Sequence, residues 1–302
     1  MNDLAFSFDS VTRSFGPVQA LRGVSLQVPR GGVVGLLGRN GAGKSTAIRC
    51  LVGLDRPTSG QVRLLGSDSA DLPREVKQRL GYMSEQPIPF PAATARTLIG
   101  FCARLYPTWD AELAGSLLAR FNVATDAKLR TLSLGQQRAL ALMLALCPRP
   151  DVLVLDEPAA NLDPVLRRQF LAEVLDLVAD PGRTVLFSTH NLADVERVAT
   201  RIAVLHDGRL LLDREIDDLK DRTRRLRLMF AGEPPRTIAV PGLLRLQRAG
   251  SELLATVDGY HDGLAATLQR DTGARVEVQP IPLEELFIDL VTGPQAREER
   301  AA

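Results

Sequence analysis

The run Gly38-Arg39-Asn40-Gly41-Ala42-Gly43-Lys44-Ser45-Thr46 sits between an apolar stretch and a helical pattern. It fills the spacing G-x-x-x-x-G-K-[ST], which in the context strand, loop, helix is a phosphate cradle. Glycines let backbone N–H groups turn inward with no Cβ in the way. Lys44 places a point charge on β- and γ-phosphate oxygens, and Ser45 supplies a hydroxyl ligand for Mg2+. The helix N-terminus adds a favourable field. A glycine-rich turn that binds nothing is the bland alternative, and the flanking strand and helix weigh against it.

A second chemical site lies downstream, where the apolar run Val152–Leu155 ends in adjacent carboxylates, Asp156 and Glu157. Buried strands rarely end in paired acids unless a cation or a reacting group sits there. Asp156 would hold Mg2+, directly or through water, and Glu157 would orient or deprotonate an attacking water. A solvated strand end is the competing reading, and it loses ground beside a phosphate cradle.

The elements that must position these groups follow from the apolar pattern. Val33–Leu37, Val152–Leu155, Val185–Phe187 and Ile202–Leu205 are short, continuous and rich in β-branched residues, as in strands buried on both faces of a mostly parallel sheet. Helical patterns alternate with them, including Lys44 to Leu54 and Pro164 to Ala179, the second capped by the region Asn161 to Asp163. This alternation predicts an α/β fold. The first thirty residues read instead as short antiparallel strands, and Thr94 to Leu146 as a mostly helical subdomain. A charged run at Asp221–Arg227 marks the expected boundary. The partition is then an α/β domain carrying the cradle over 1–220, with its helical part at about 90–146, a small α+β domain over 221–293, and a frayed tail over 294–302.

Composition narrows the partners. The chain has 302 residues, with Lys+Arg 37 against Asp+Glu 36, so it lacks the basic excess of an electrostatic nucleic-acid binder. Three cysteines, Cys50, Cys102 and Cys147, lack paired spacing and read as small buried hydrophobes in a reducing cytoplasm. No signal pattern opens the chain, and no window approaches the roughly 20 apolar residues of a membrane span. The chain is therefore expected to be soluble on its own.

Phosphate cradles serve many trades, so the deciding segment is Leu132-Ser133-Leu134-Gly135-Gln136-Gln137-Arg138, shortly before Asp156. It resembles the signature of the ABC ATPases, and the family's other motifs follow in order over about residues 4–215. Phe15 matches the aromatic that stacks on adenine, though the residue alone reads equally well as a core aromatic. Asn161-Leu-Asp163-Pro matches the D-loop, and Ser188-Thr-His190 the switch histidine. The resemblance implies a P-loop NTPase in which two ATPase domains, a homodimer or a paired subunit, sandwich two ATPs. Ser133, Gly135 and Gln136 of one subunit would meet the γ-phosphate held by Lys44 of the other. His190 would sense that phosphate, and ATP would shift the population toward closure.

Two departures stand out. The Q-loop reads Gly81-Tyr82-Met83-Ser84-Glu85-Gln86, with Glu85 or Gln86 as the working residue; Glu85 would bind Mg2+ or water through oxygen. The usual central glycine of the signature is Leu134, where positive φ is disfavoured. Both resemble the ABC-2 type exporters, as do Leu105-Tyr-Pro-Thr-Trp109-Asp110 and the ending Pro282 to Gly293. The implied setting is the cytoplasmic face of a bacterial cell membrane, beside a transmembrane permease subunit. Phe90, Phe101, Tyr106 and Trp109 would either dock that partner or form the subdomain's own core. A ribosome-associated role would call for two cradles, and a DNA-repair role for coiled coils or zinc modules before the signature; neither is present.

Overall fold

A computed structural model describes residues 3–160, 162–180 and 182–292. The chain divides into two compact units, Met1–Asp213 and Arg214–Ala302. The division falls seven residues before the expected 220/221 boundary, because Ile216–Arg222 folds with the second unit.

The strands of the first unit, the last of which runs two residues past the division, are β1 (Leu4–Phe15), β2 (Val18–Pro29), β3 (Gly32–Leu37), β4 (Ser59–Leu64), β5 (Ser67–Asp68), β6 (Leu80–Met83), β7 (Val152–Leu155), β8 (Thr184–Thr189), β9 (Arg201–His206) and β10 (Arg209–Glu215). Its helices are α1 (Lys44–Leu51), α2 (Arg74–Lys77), α3 (Ala95–Leu105), α4 (Ala111–Arg120), α5 (Leu134–Leu146), α6 (Pro164–Val178) and α7 (Leu192–Val198). One sheet runs β2-β1-β4-β5 and is antiparallel; the other runs β10-β9-β3-β8-β7-β6, with parallel pairing from β9 through to β6.

β3, β7 and β8 are buried almost throughout, as continuous apolar runs between covered faces must be. β1 and β2 are longer than the short strands expected. Each spans 12 residues, with bulges and a wet face that dilute the apolar signal. β6 was not foreseen at all. Its four residues include Gly81, where a Cβ would come 2.4 Å from the Ala145 carbonyl, so glycine lets α5 pack directly against this strand. α5 buries Leu140, Leu142, Met143 and Leu146. α3, α4 and α5 make the helical subdomain.

The second unit holds α8 (Ile216–Arg222), β11 (Arg224–Met229), β12 (Leu243–Ala249), β13 (Glu252–Val257), α9 (Asp262–Thr272), β14 (Arg275–Pro280) and α10 (Leu283–Thr292). Its antiparallel sheet runs β12-β13-β11-β14. The charged run expected to be a boundary is in part an interior strand, β11. Leu226 and Leu228 bury one face against α9 residues Leu264 and Leu268. On the other face Arg227 pairs with Glu252, and Arg225 with Asp289 of α10 at 2.6 Å. Alternation of leucine and paired arginine is what made this strand look like a linker. The expected tail at 294–302 lies outside the described residues.

Candidate functional site

β3, β8, β7 and β6 are neighbours and parallel, so their C-terminal ends share one edge of the sheet. Ligands of such sheets bind outside that edge. β3 opens into the phosphate cradle, β8 into His190, β7 into Asp156 and Glu157, and β6 into Ser84 and Glu85. Register brings the four turns level: Leu37 pairs with Thr189, and Leu155 pairs with both Phe187 and Met83.

The cradle closes on Gly43, at φ +104°, where a Cβ would meet the Ala20 carbonyl at 2.6 Å. No side chain caps α1, so its first N–H groups face the loop's concavity, the arrangement that binds anions. Lys44 is buried, and its Nζ donates to the Gly38 carbonyl at 2.8 Å. Ser45 Oγ donates to Asp156 Oδ1 at 3.2 Å. The same oxygen accepts from Ser188 Oγ at 2.6 Å, and Ser188 Oγ in turn accepts the Glu157 N–H at 2.9 Å.

Glu157 adopts φ +45°, a left-handed conformation that costs energy in a residue with a Cβ. That turn swings its carboxylate from the strand end toward the cradle. Oε2 pairs with His190 Nδ1 at 2.9 Å. Oε1 is buried and takes no aligned hydrogen bond, with Lys44 Nζ beside it at 3.1 Å as a charge partner. This oxygen rests against the Lys44 charge at the edge of the phosphate cradle.

Two adjoining clefts meet here. One, about 440 Å³, is lined by cradle residues including Arg39, Asn40, Gly41, Lys44 and Thr46, with Ala20, Glu85 and Glu157. The other, about 320 Å³, shares Asn40, Glu85 and Glu157 and adds His190, Arg167 and Asp194. Glu85 lines both, and Gln86 lines neither. The donors Ser45, Asp156 and Glu85 are all hard oxygens, a set that fits Mg2+ with phosphate and water completing the shell.

Other expected site residues stand elsewhere. Phe15 is not in the cleft wall. It is 47% exposed at the end of β1, with the Arg13 guanidinium 4.4 Å over its ring, so the core reading of Phe15 does not hold. Asp163 caps α6, accepting from Val165 N and Leu166 N at 2.9 and 3.0 Å. Asn161 lies outside the described residues. Ser133, Gly135 and Gln136 form the first turn of α5 and line neither cleft of their own chain. Ser133 and Gln136 make a reciprocal capping box, and Gln136 Nε2 donates to Asn122 O at 2.7 Å. Both ends of the Gln136 side chain are thus committed within the subdomain.

Sequence reasoning missed Ser188 and the pair Arg167–Asp194. Arg167 meets Asp194 through two parallel bonds, 2.7 and 2.5 Å, tying α6 to α7 beside His190. Ser188 sits two residues before His190, a position that its β8 register places next to Asp156.

This fold and this edge define a P-loop nucleotide-binding domain. The family profile described as ABC transporter matches residues 21–160. The chain is 31% identical over 270 residues to the ABC transporter ATP-binding protein YtrB of Bacillus subtilis, covering 89% of this chain and 92% of that one. It is 31% identical over 300 residues to the Nod factor export ATP-binding protein I of Burkholderia lata, covering 96% and 98%. Among solved structures, the dimeric post-hydrolysis ATP-binding cassette MJ0796 bound to ADP and Pi superposes with a TM-score of 0.62 at 26% identity, over 70% of this chain and 98% of that one. The chain belongs to the ATP-binding proteins of the ABC transporters. It is an ATP hydrolase that powers a separate transmembrane component, and cassettes of this family dimerise. Among the described residues, no helix is long and apolar enough to cross a membrane.

Proposed function

We propose that this chain drives an exporter of the ABC-2 branch from the cytoplasmic face of a bacterial cell membrane, closing with a second ATPase subunit around two ATPs. One observation carries the reading. Glu157 stands between Lys44 and His190 at the cradle, while the signature turn at Ser133 lies outside its own cleft. A signature turn that cannot serve its own nucleotide is available to a neighbour's. Ser133 Oγ already accepts from Gln136 N, which leaves its proton to donate to a phosphate oxygen across the interface.

In this reading the γ-phosphate takes over Lys44, and the cradle N–H groups hold the β- and γ-oxygens. Glu157 Oε1, released from Lys44, accepts a proton from the water whose oxygen attacks the γ-phosphorus. The bond from that phosphorus to the β–γ bridging oxygen breaks, and ADP leaves with the electron pair. His190 holds Glu157 in place through Oε2. Ser45 and Asp156, with Glu85, would hold Mg2+, which neutralises phosphate charge. Phe15 offers its exposed ring to adenine.

The membrane partner has a fitting surface on the helical subdomain. Phe90, Phe101 and Leu105 are 57%, 53% and 46% exposed, and Tyr106 and Trp109 are half-buried. Such aromatics favour interface pockets over solvent. The export direction draws on the Nod factor export relative, together with Glu85 and Leu134.

The test compares wild type with Glu157→Gln for Mg2+-dependent ATP hydrolysis, with dimerisation followed by light scattering. The expected result is turnover by wild type and an inactive variant that stays dimeric in ATP. A variant that hydrolyses ATP as fast as wild type would remove Glu157 from its role.

A further inference from the structure

One buried cation at this edge has no part in the mechanism above. Arg138, on the first turns of α5, is only 8% exposed. Its Nη1 donates to the carbonyl of Ser84 at 3.0 Å. Ser84 directly follows β6 and precedes Glu85, which lines both clefts. Burial pushes the Arg138 guanidinium below the usual arginine value, and the charges of Glu85, Asp156 and Glu157 pull it back up. Placing an arginine in so dry a position costs desolvation energy, which a nearby group of carboxylates offsets.

The location matters more than the charge. α5 begins at Ser133, the turn read above as reaching the second subunit's nucleotide. Ser133 to Arg138 is little more than one helical turn, and a helix of this kind moves as a rigid piece. A shift of the signature turn therefore carries Arg138 with it, and Arg138 pulls on the carbonyl next to Glu85. Among the described residues, no other hydrogen bond joins α5 to the Ser84–Gln86 turn.

We infer that Arg138 is a positioning residue that couples the signature turn to Glu85, so that engagement of the neighbour's ATP sets the Glu85 carboxylate in its own chain's site. The inference rests on the two-subunit reading above. It also explains why an arginine, not a lysine, is placed here: a planar guanidinium holds a fixed direction toward the carbonyl while the charges of Glu85, Asp156 and Glu157 act on it.

The test uses the full chain with Arg138→Met and Arg138→Lys. Amide hydrogen exchange of the 83–87 segment, with α1 as internal control, is expected to be about fivefold faster in Arg138→Met, while α1 is unchanged. Turnover at saturating ATP is expected to fall about tenfold with KM within about threefold of wild type, and Arg138→Lys to recover part of the loss. Combined with Glu85→Gln, the losses should not multiply, because one residue acts through the other. Unchanged exchange at 83–87, or losses that multiply fully, would overturn the coupling. A variant that merely lowers Tm, with turnover per folded molecule intact, would overturn it too. The two-subunit reading fails separately, by Glu157→Gln remaining monomeric in ATP.

Discussion

Lys44 Nζ lies 3.1 Å from Glu157 Oε1, so the lysine of the phosphate cradle and the carboxylate beside it neutralise each other in a buried pair. Both side chains are almost fully enclosed, and removing either charge leaves the other uncompensated. A γ-phosphate can replace the carboxylate as the lysine's partner. In the proposed mechanism, nucleotide arrival and release of Glu157 are one exchange.

Glu157→Gln weakens this competition for Lys44. ATP is expected to bind up to about tenfold more tightly, or about 1.4 kcal/mol. Hydrolysis is expected to fall by about 10²–10⁴, the range for loss of a general base. Fluorescent-nucleotide titration and phosphate release measure the two effects. Weaker ATP binding by the variant would rule out competition.

His190→Ala removes the group 2.9 Å from Glu157 Oε2. The carboxylate keeps its charge and loses its orientation, so turnover should drop about tenfold or more with ATP affinity nearly unchanged. Because His190 acts through Glu157, adding His190→Ala to Glu157→Gln should cost little further rate. A full second loss in the double variant would give His190 an independent role.

Gln136→Ala separates structure from ligand binding in the signature. Its side chain accepts from Ser133 N at 2.9 Å and donates to Asn122 O at 2.7 Å. Losing the capping box should cost about 1 kcal/mol, which lowers Tm by about 2–4 °C in a domain of this size. Nucleotide affinity of the isolated chain should not change. A large loss of affinity with unchanged Tm would make Gln136 a direct ligand.

Glu173 predicts a pH effect far from the nucleotide. Burial lifts its carboxyl above the ordinary range, against the pull of its partner Arg120. The folded chain then holds this proton more tightly than the unfolded chain. Its contribution is fullest below the unfolded value, about pH 4.3, and is lost as pH rises through the raised folded value. Glu173→Gln removes that decline, so its Tm relative to wild type should be higher at pH 8 than at pH 5, by about 2 °C. Half-exposed Arg120 keeps its hydration in the variant. Equal Tm differences at both pH values would show that the carboxyl is not raised.

Much of the site was legible because its chemistry comes in contiguous pieces. The cradle from Gly38 to Thr46, the pair Asp156-Glu157 and His190 each follow a strand readable as a continuous apolar run, and chain continuity alone places each group at a strand's end. The same local reading fails where a residue's neighbours come from afar. β6 is four residues long, and its Gly81 only makes sense against the Ala145 carbonyl. The bonds of Gln136 to Ser133 and Asn122 are likewise set by the fold, beside its expected place at the neighbour's nucleotide.

The sequence by itself determined the class of chemistry, a nucleotide site with acid and lysine, and the family to which it belongs. Only the tertiary structure decided who meets whom. Glu85 rather than Gln86 faces the cleft, Lys44 pairs with Glu157, Ser188 holds Asp156, and Arg138 reaches Ser84. These contacts depend on the strand order β3-β8-β7-β6 and its register, which arise from packing the whole sheet between its helices. Local periodicity states that a strand is buried; it does not state which strand lies beside it.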